Sequence, residues 1–367
     1  MIVTRRRSLV ASLAAALTAA LAAGLAATLI FLLPLGSNAA ALASPATSSA
    51  VSDYEVRVDV RVTNIYGFST RDKTFTVEGK YWLTFSSKLE QQMRAKNIKP
   101  IQLISLYNNI RPWDSRVLPI YSIPEKLANN QYRIGYEFNG LFYSNTIDYT
   151  LSPFGKVPLF IVLESNDDML DAGAGRHRLT MTPGIVEVGS RVNIDGYRLQ
   201  NWTYKKTSRP KASRLEAELG GNSDWLTLRL NYSVDFWAAL VKWMLPLIIS
   251  MLVILLTPQI ASSMKTERLA IPPVVLLTIV LMQQSYRESL PTLPYLTFLD
   301  GLYAYSYLVT LAIFLSFIWS ANRVENADDR SRALVLRQVN RLDHWMQLVA
   351  ISGYAVLLLA WTIRAQF

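Results

Sequence analysis

The sequence predicts an all-β sandwich followed by a bundle of four transmembrane helices. Two runs of strict period-two alternation, and long apolar stretches that appear after Phe236, carry that prediction. From Tyr54 to Thr63 the residues Tyr54, Val56, Val58, Val60 and Val62 face one way, and Glu55, Arg57, Asp59, Arg61 and Thr63 face the other. Such a period is that of a half-buried strand. A matching run sets Leu226, Leu228, Leu230, Tyr232 and Val234 against Thr227, Arg229, Asn231 and Ser233. Strand-like pieces at Thr74–Phe85 and Leu159–Glu164 lie between, separated by Gly, Pro, Asn and Asp turns. The stretch around Leu89–Lys96 is the longest amphipathic helix the region suggests. Residues 54–235 thus read as an antiparallel β-sandwich.

Composition fits this division. The chain is 51% hydrophobic and 17% charged, unusually apolar for a soluble protein, and the excess falls in the first 43 residues and after Phe236. It contains no cysteine and two histidines, His177 and His344. Disulfides and thiolate metal sites are excluded, and no cofactor is expected. The net charge of +10 owes much to Arg5, Arg6 and Arg7 and to arginines near the end. No basic patch interleaved with stacking aromatics points to nucleic acid.

The opening reads as an export signal over residues 1–43: three arginines, an apolar run from Leu9 to Leu35, and Ala41-Leu42-Ala43 before a cut at Ser44. An uncleaved anchor helix is the other reading of that run. Residues 44–53 are small and polar, a linker. After Val234 the character changes. The transmembrane domain, 236–365, has expected helices at about 236–257, 268–288, 295–320 and 345–364, each able to cross ~30 Å of hydrocarbon. Lys265 and Arg268 in one loop, and Arg323, Arg330, Arg332, Arg337 and Arg341 in another, are expected on the cytoplasmic side. The sandwich and the C-terminus then lie outside a cell membrane in contact with lipid.

The second span is apolar below and polar above, which suits a helix with one face in water. Stepping by three and four residues from its foot gives Glu267, Ala270, Val274, Leu277, Leu281, Gln284 and Glu288 on a single helical face. In a ring of identical chains that face would stack carboxylates at each mouth around an apolar collar at Val274, Leu277 and Leu281. Acidic rings concentrate cations, and a narrow apolar collar dewets and closes. The same face would also suit helix–helix packing, with both glutamates at solvated ends. Lys265 and Arg268 flank Glu267 and could offset its field. Pro272 and Pro273 predict a bend or a late helix start.

Several stretches resemble the pentameric ligand-gated ion channels, the Cys-loop receptor superfamily, and within it a bacterial amine-gated branch. They are Thr266-Glu267-Arg268-Leu269, the pore segment after it, Leu290-Pro291-Thr292-Leu293-Pro294-Tyr295, Asn64-Ile65-Tyr66-Gly67 through Gly79, Ser152-Pro153-Phe154, and Pro246 in the first span. The resemblance implies a homopentamer around a central pore for monovalent cations, opened by a small-molecule ligand, an amine by that branch, and no enzyme activity. It implies that Glu267 sets selectivity and that Leu277 is the central gate. It places a coupling interface at Arg71, Asp72, Pro153, Phe154, Leu290, Pro291 and Pro294. Glu164, Tyr204 and Trp225 resemble members of the ligand box, with Asn166 where an aromatic is expected. Tyr204 and Trp225 also suit ordinary sandwich packing. Gly155 and Val234 stand where the family carries a salt-bridged pair, so Lys156 and Asp235 are expected to form a charge-reversed substitute. Two other classes remain open at this point: a non-conducting membrane receptor, and an enzyme anchored outside the cell. Asp167, Asp168 and Asp171 form the one acidic knot, which a solvated loop explains better.

Overall fold

The computed structural model describes residues 54–127, 129–166, 179–210, 222–261, 264–327 and 332–366. The export signal, the linker and the Asp167–Asp171 knot lie outside the described residues.

Among the described residues ten strands build the N-terminal part: β1 Glu55–Ser69, β2 Thr74–Ser86, β3 Ile104–Leu106, β4 Arg116–Pro119, β5 Glu125–Lys126, β6 Gln131–Tyr143, β7 Lys156–Ser165, β8 Thr180–Arg191, β9 Tyr197–Pro210 and β10 Asn222–Val234. They form two sheets. One has the order β4-β6-β2-β1-β8, with β5 also on β6, and the other β3-β7-β10-β9. The alternation seen in the sequence is what packs them. Val56, Val58, Val60 and Val62 of β1 face Leu226, Leu228, Leu230 and Tyr232 of β10 within one core, all nearly free of solvent. One pairing departs from the expected antiparallel pattern, since β8 runs parallel to β1. The amphipathic stretch forms helix α1, Ser87–Ala95, which buries Leu89 and Met93 and is capped by the Ser86 hydroxyl.

Four helices follow, all long and apolar enough to cross a membrane: α2 Phe236–Gln259, α3 Lys265–Glu288, α4 Phe298–Glu325 and α5 Arg332–Gln366. Asp235 caps α2 by accepting from the Trp237 amide. A single π turn at Leu240–Met244 precedes Pro246, where the ring removes a backbone donor and crowds the preceding turn. Helix α5 begins well before the expected position near 345. Val339, Asp343, Gln347 and Ala350 recur at helical spacing and are all buried, so the segment that reads as a charged loop is the first turns of a packed helix.

Candidate functional site

Helix α3 packs through one face and leaves another bare. Arg268, Pro272, Val275, Ile279 and Tyr286 are buried, on the side where α3 meets α2 and α4. All seven residues of the stripe (Glu267, Ala270, Val274, Leu277, Leu281, Gln284 and Glu288) are exposed in the chain. The collar is among the barest apolar surface, with Val274 64%, Leu277 60% and Leu281 62% exposed. Packing of this face inside the chain's own helix bundle is therefore excluded. Of the bend or late start expected from Pro272 and Pro273, the late start does not occur. The helix begins at Lys265 and runs through both.

The charges of α3 are sorted by face. Lys265 Nζ lies 3.1 Å from Glu325 Oε2 at the end of α4. Arg268 Nη2 lies 2.5 Å from Asp343 Oδ2 of α5, with both side chains almost fully buried, and its guanidinium sits over the Phe317 ring at 4.2 Å. At the other end Arg287 Nε donates to Asp300 Oδ1 at 2.8 Å. Each cation of the helix is thus held by a carboxylate from another helix. Among the described residues neither Glu267 nor Glu288 forms an ion pair. Glu288 accepts a hydrogen bond from Gln284 Nε2 at 3.1 Å.

The sandwich meets the helices through the loop between β6 and β7. Phe154 stacks on Phe236 at the start of α2, centroids 5.3 Å apart, and lies 6.2 Å from Phe298 at the start of α4. The Phe298 amide donates to Thr150 O at 2.9 Å, and the Tyr149 amide donates to Tyr295 Oη at 3.2 Å. Tyr286, fully buried near the top of α3, shares a 2.8 Å hydrogen bond with the Thr297 hydroxyl and donates to Ser152 O at 3.4 Å. It links α3, the cap of α4 and the sandwich loop in one place. Sequence reading missed Tyr286, although it falls off the stripe where a polar helix end should face water. Pro153 and Leu290 are buried beside this joint, whereas Pro294 is exposed and Pro291 half-buried. Arg71 and Asp72 are exposed. Asp72 bonds back to Ser69, and among the described residues neither Arg71 nor Asp72 has a hydrogen bond or ion pair to the helices. Their turn reaches the joint indirectly, since Thr70 O accepts from the Tyr149 hydroxyl at 2.7 Å.

The expected Lys156–Asp235 pair is not formed. Asp235 Oδ2 is 2.7 Å from Arg198 Nη2 on the neighbouring strand β9. Lys156 lies opposite Ser233 in the β7–β10 register, and Arg198 is opposite Ser233 on the other side. Pairing with β7 ends at Ser233, whereas pairing with β9 runs on to Val234 and Tyr197, and the Asp235 amide donates to Gly196 O at 2.8 Å, which holds Asp235 on the Arg198 side.

The three box candidates divide between the faces of one sheet. Glu164 and Trp225 are directly opposite on β7 and β10, and Trp225 Nε1 donates to Glu164 Oε1 at 3.0 Å. Tyr107, missed in the sequence because it sits outside any alternating run, packs on Trp225 with centroids 4.2 Å apart. The three form an aromatic and carboxylate surface on the outer face. Tyr204 is paired with the core residue Leu228 and so points inward, where its hydroxyl donates to Val58 O at 3.2 Å. Burial, and the charge of Asp59, push its phenol well above the ordinary value. Tyr204 is a sandwich-core residue and not part of that surface. The backbone N–H of Asn166, two residues from Glu164, donates to Leu103 O at 2.8 Å.

No protein-family model matches the chain, and no curated protein matches it.

Proposed function

We propose that this chain is one subunit of a ligand-gated, cation-selective channel of the pentameric kind, with α3 lining the pore. The observation that carries the proposal is the bare face of α3. A lipid-facing stripe has no use for Gln284 a full turn inside its end, and a packed one would be covered by its own bundle. Acid, small, three apolar, amide, acid is an order that suits a water-filled pathway with an apolar constriction. One helix cannot enclose such a pathway, so identical faces from a ring of chains must do so. In this reading the collar at Leu277 is the gate, and Glu267 and Glu288 hold cations at the two mouths. The Phe154 joint transmits movement of the sandwich to α2 and α4, and Tyr286 passes it to α3. The outer surface of Tyr107, Glu164 and Trp225 suits a cationic ligand such as an amine, since two aromatic faces and a carboxylate attract positive charge.

Whole-cell current from a Leu277→Ser variant, with surface expression confirmed, tests this without the agonist. A hydroxyl in the collar should wet it and hold the pathway open. The expected result is a standing current that reverses near the cation potential and loses that preference when Glu267→Gln is added. Normal surface protein without current would contradict it.

A further inference from the structure

A cation-selective mouth built on Glu267 has an evident difficulty. Lys265 and Arg268 are its near neighbours in sequence, and Arg287 adjoins Glu288 in the same way. Left free, these cations would cancel both carboxylates of the stripe. The structure deals with all three in one manner. Lys265 is drawn to Glu325 at 3.1 Å, Arg268 to Asp343 at 2.5 Å, and Arg287 to Asp300 at 2.8 Å. Three partners from α4 and α5 match three cations of α3, and two glutamates on the bare face are left over.

We propose that Asp343 and Glu325, with Asp300 at the far end, are selectivity-determining positioning residues. They keep the cations of α3 neutralised and turned from the stripe, so that Glu267 and Glu288 act on permeating ions uncompensated. The inference rests on the channel reading above.

Asp343 carries most of the effect at the Glu267 mouth. Its pair with Arg268 is buried on both sides, so the two charges interact with little screening. The contact is also single, since Arg268 Nε and Asp343 Oδ1 are buried without a hydrogen-bond partner. Without the carboxylate, an unpaired guanidinium is too costly to keep buried. Its long side chain then has a reason to leave the Phe317 ring for water at the mouth, beside Glu267. The Lys265–Glu325 pair is more exposed, with Glu325 at 73%, and its loss acts more weakly through solvent.

The test is the reversal potential of the standing current in the Leu277→Ser background, with sodium chloride diluted on one side. Asp343→Asn is expected to lower the cation-to-anion permeability ratio by on the order of tenfold. Glu325→Gln is expected to lower it in the same direction by less. Adding Arg268→Gln to Asp343→Asn removes the freed charge and should bring the ratio back, an outcome that mere damage to the bundle would not give. If Asp343→Asn fails to reach the surface, Glu325→Gln and its double with Lys265→Gln decide in the same way. A ratio unchanged in the variants that conduct, while Glu267→Gln still abolishes selectivity, would overturn the inference and leave the channel reading standing. Absence of current in Leu277→Ser alone would instead remove the channel reading.

Discussion

Asp300→Ala is expected to destabilise the membrane domain by about 3 kcal/mol, summed from the lost side-chain half of the α4 capping box and the lost hydrogen bonds of Arg287 and Gln283 to a buried carboxylate. Asp300 is 1% exposed and serves two structures at once. One oxygen closes the capping box of α4, accepting from the Thr297 amide at 3.1 Å and the Thr297 hydroxyl at 2.9 Å. The other accepts from Arg287 of α3 at 2.8 Å and, more weakly, from Gln283 at 3.4 Å. Truncation leaves the Thr297 hydroxyl accepting from the amide of residue 300, but it strips the Thr297 amide of its partner and releases Arg287 together. Asp300→Asn keeps an acceptor for the cap but loses the charge, and should fall between wild type and Ala. Thermal unfolding of purified protein in detergent measures the series. A melting temperature unchanged in Asp300→Ala would show that Thr297 and Tyr286 hold this corner without it.

Phe154→Ala is expected to loosen the joint between sandwich and helices. A fully buried Phe truncated to Ala costs about 3–5 kcal/mol. Phe154 is half-buried, so a loss of about 2 kcal/mol follows, and it includes the ring contacts that bridge the two parts. Its ring is stacked on Phe236 and tilted against Phe298, and single hydrogen bonds from Phe298 N to Thr150 O, from Tyr149 N to Tyr295 Oη and from Tyr286 Oη to Ser152 O add to the joint. Differential scanning calorimetry should show the sandwich and the helices unfolding in transitions that lie further apart than in wild type. Phe154→Leu, which keeps much of the apolar contact, should retain most of the coupling. A single transition at the wild-type temperature in Phe154→Ala would place the coupling elsewhere.

Where periodicity was unbroken by polar residues, it was enough to place an element. The valines of β1 and the leucines of β10 lie on the faces their alternation assigns, and four spans lie where apolar runs are long. The start of α5 was not legible, because Asp343 and Gln347 occupy buried positions of its packed face. Their partners, Arg268 and the Leu255 carbonyl, are distant in sequence. Asp235 was assigned the wrong partner for a related reason, since only the strand register reveals that Arg198 stands beside it. Tyr204 was only partly legible. It shares parity with Trp202, and the two stand opposite the core residues Leu228 and Leu230 of β10, but the bulge at Asn231/Tyr232 that brings Leu199 onto the same face is visible only in the structure.

Single cysteines test the pore-lining face most directly, and the chain supplies none of its own. In the Leu277→Ser background, Val274→Cys and Leu281→Cys lie on the stripe. Val275→Cys and Ile279→Cys lie on the buried face of α3, and Leu315→Cys lies on an exposed apolar stretch of α4. The expected result is that a cationic, membrane-impermeant thiol reagent suppresses current rapidly at Val274→Cys and Leu281→Cys and leaves the other three unaffected. Equal insensitivity of the stripe and of Leu315→Cys would mean that the bare face of α3 lies against lipid, and would contradict a pore built on it.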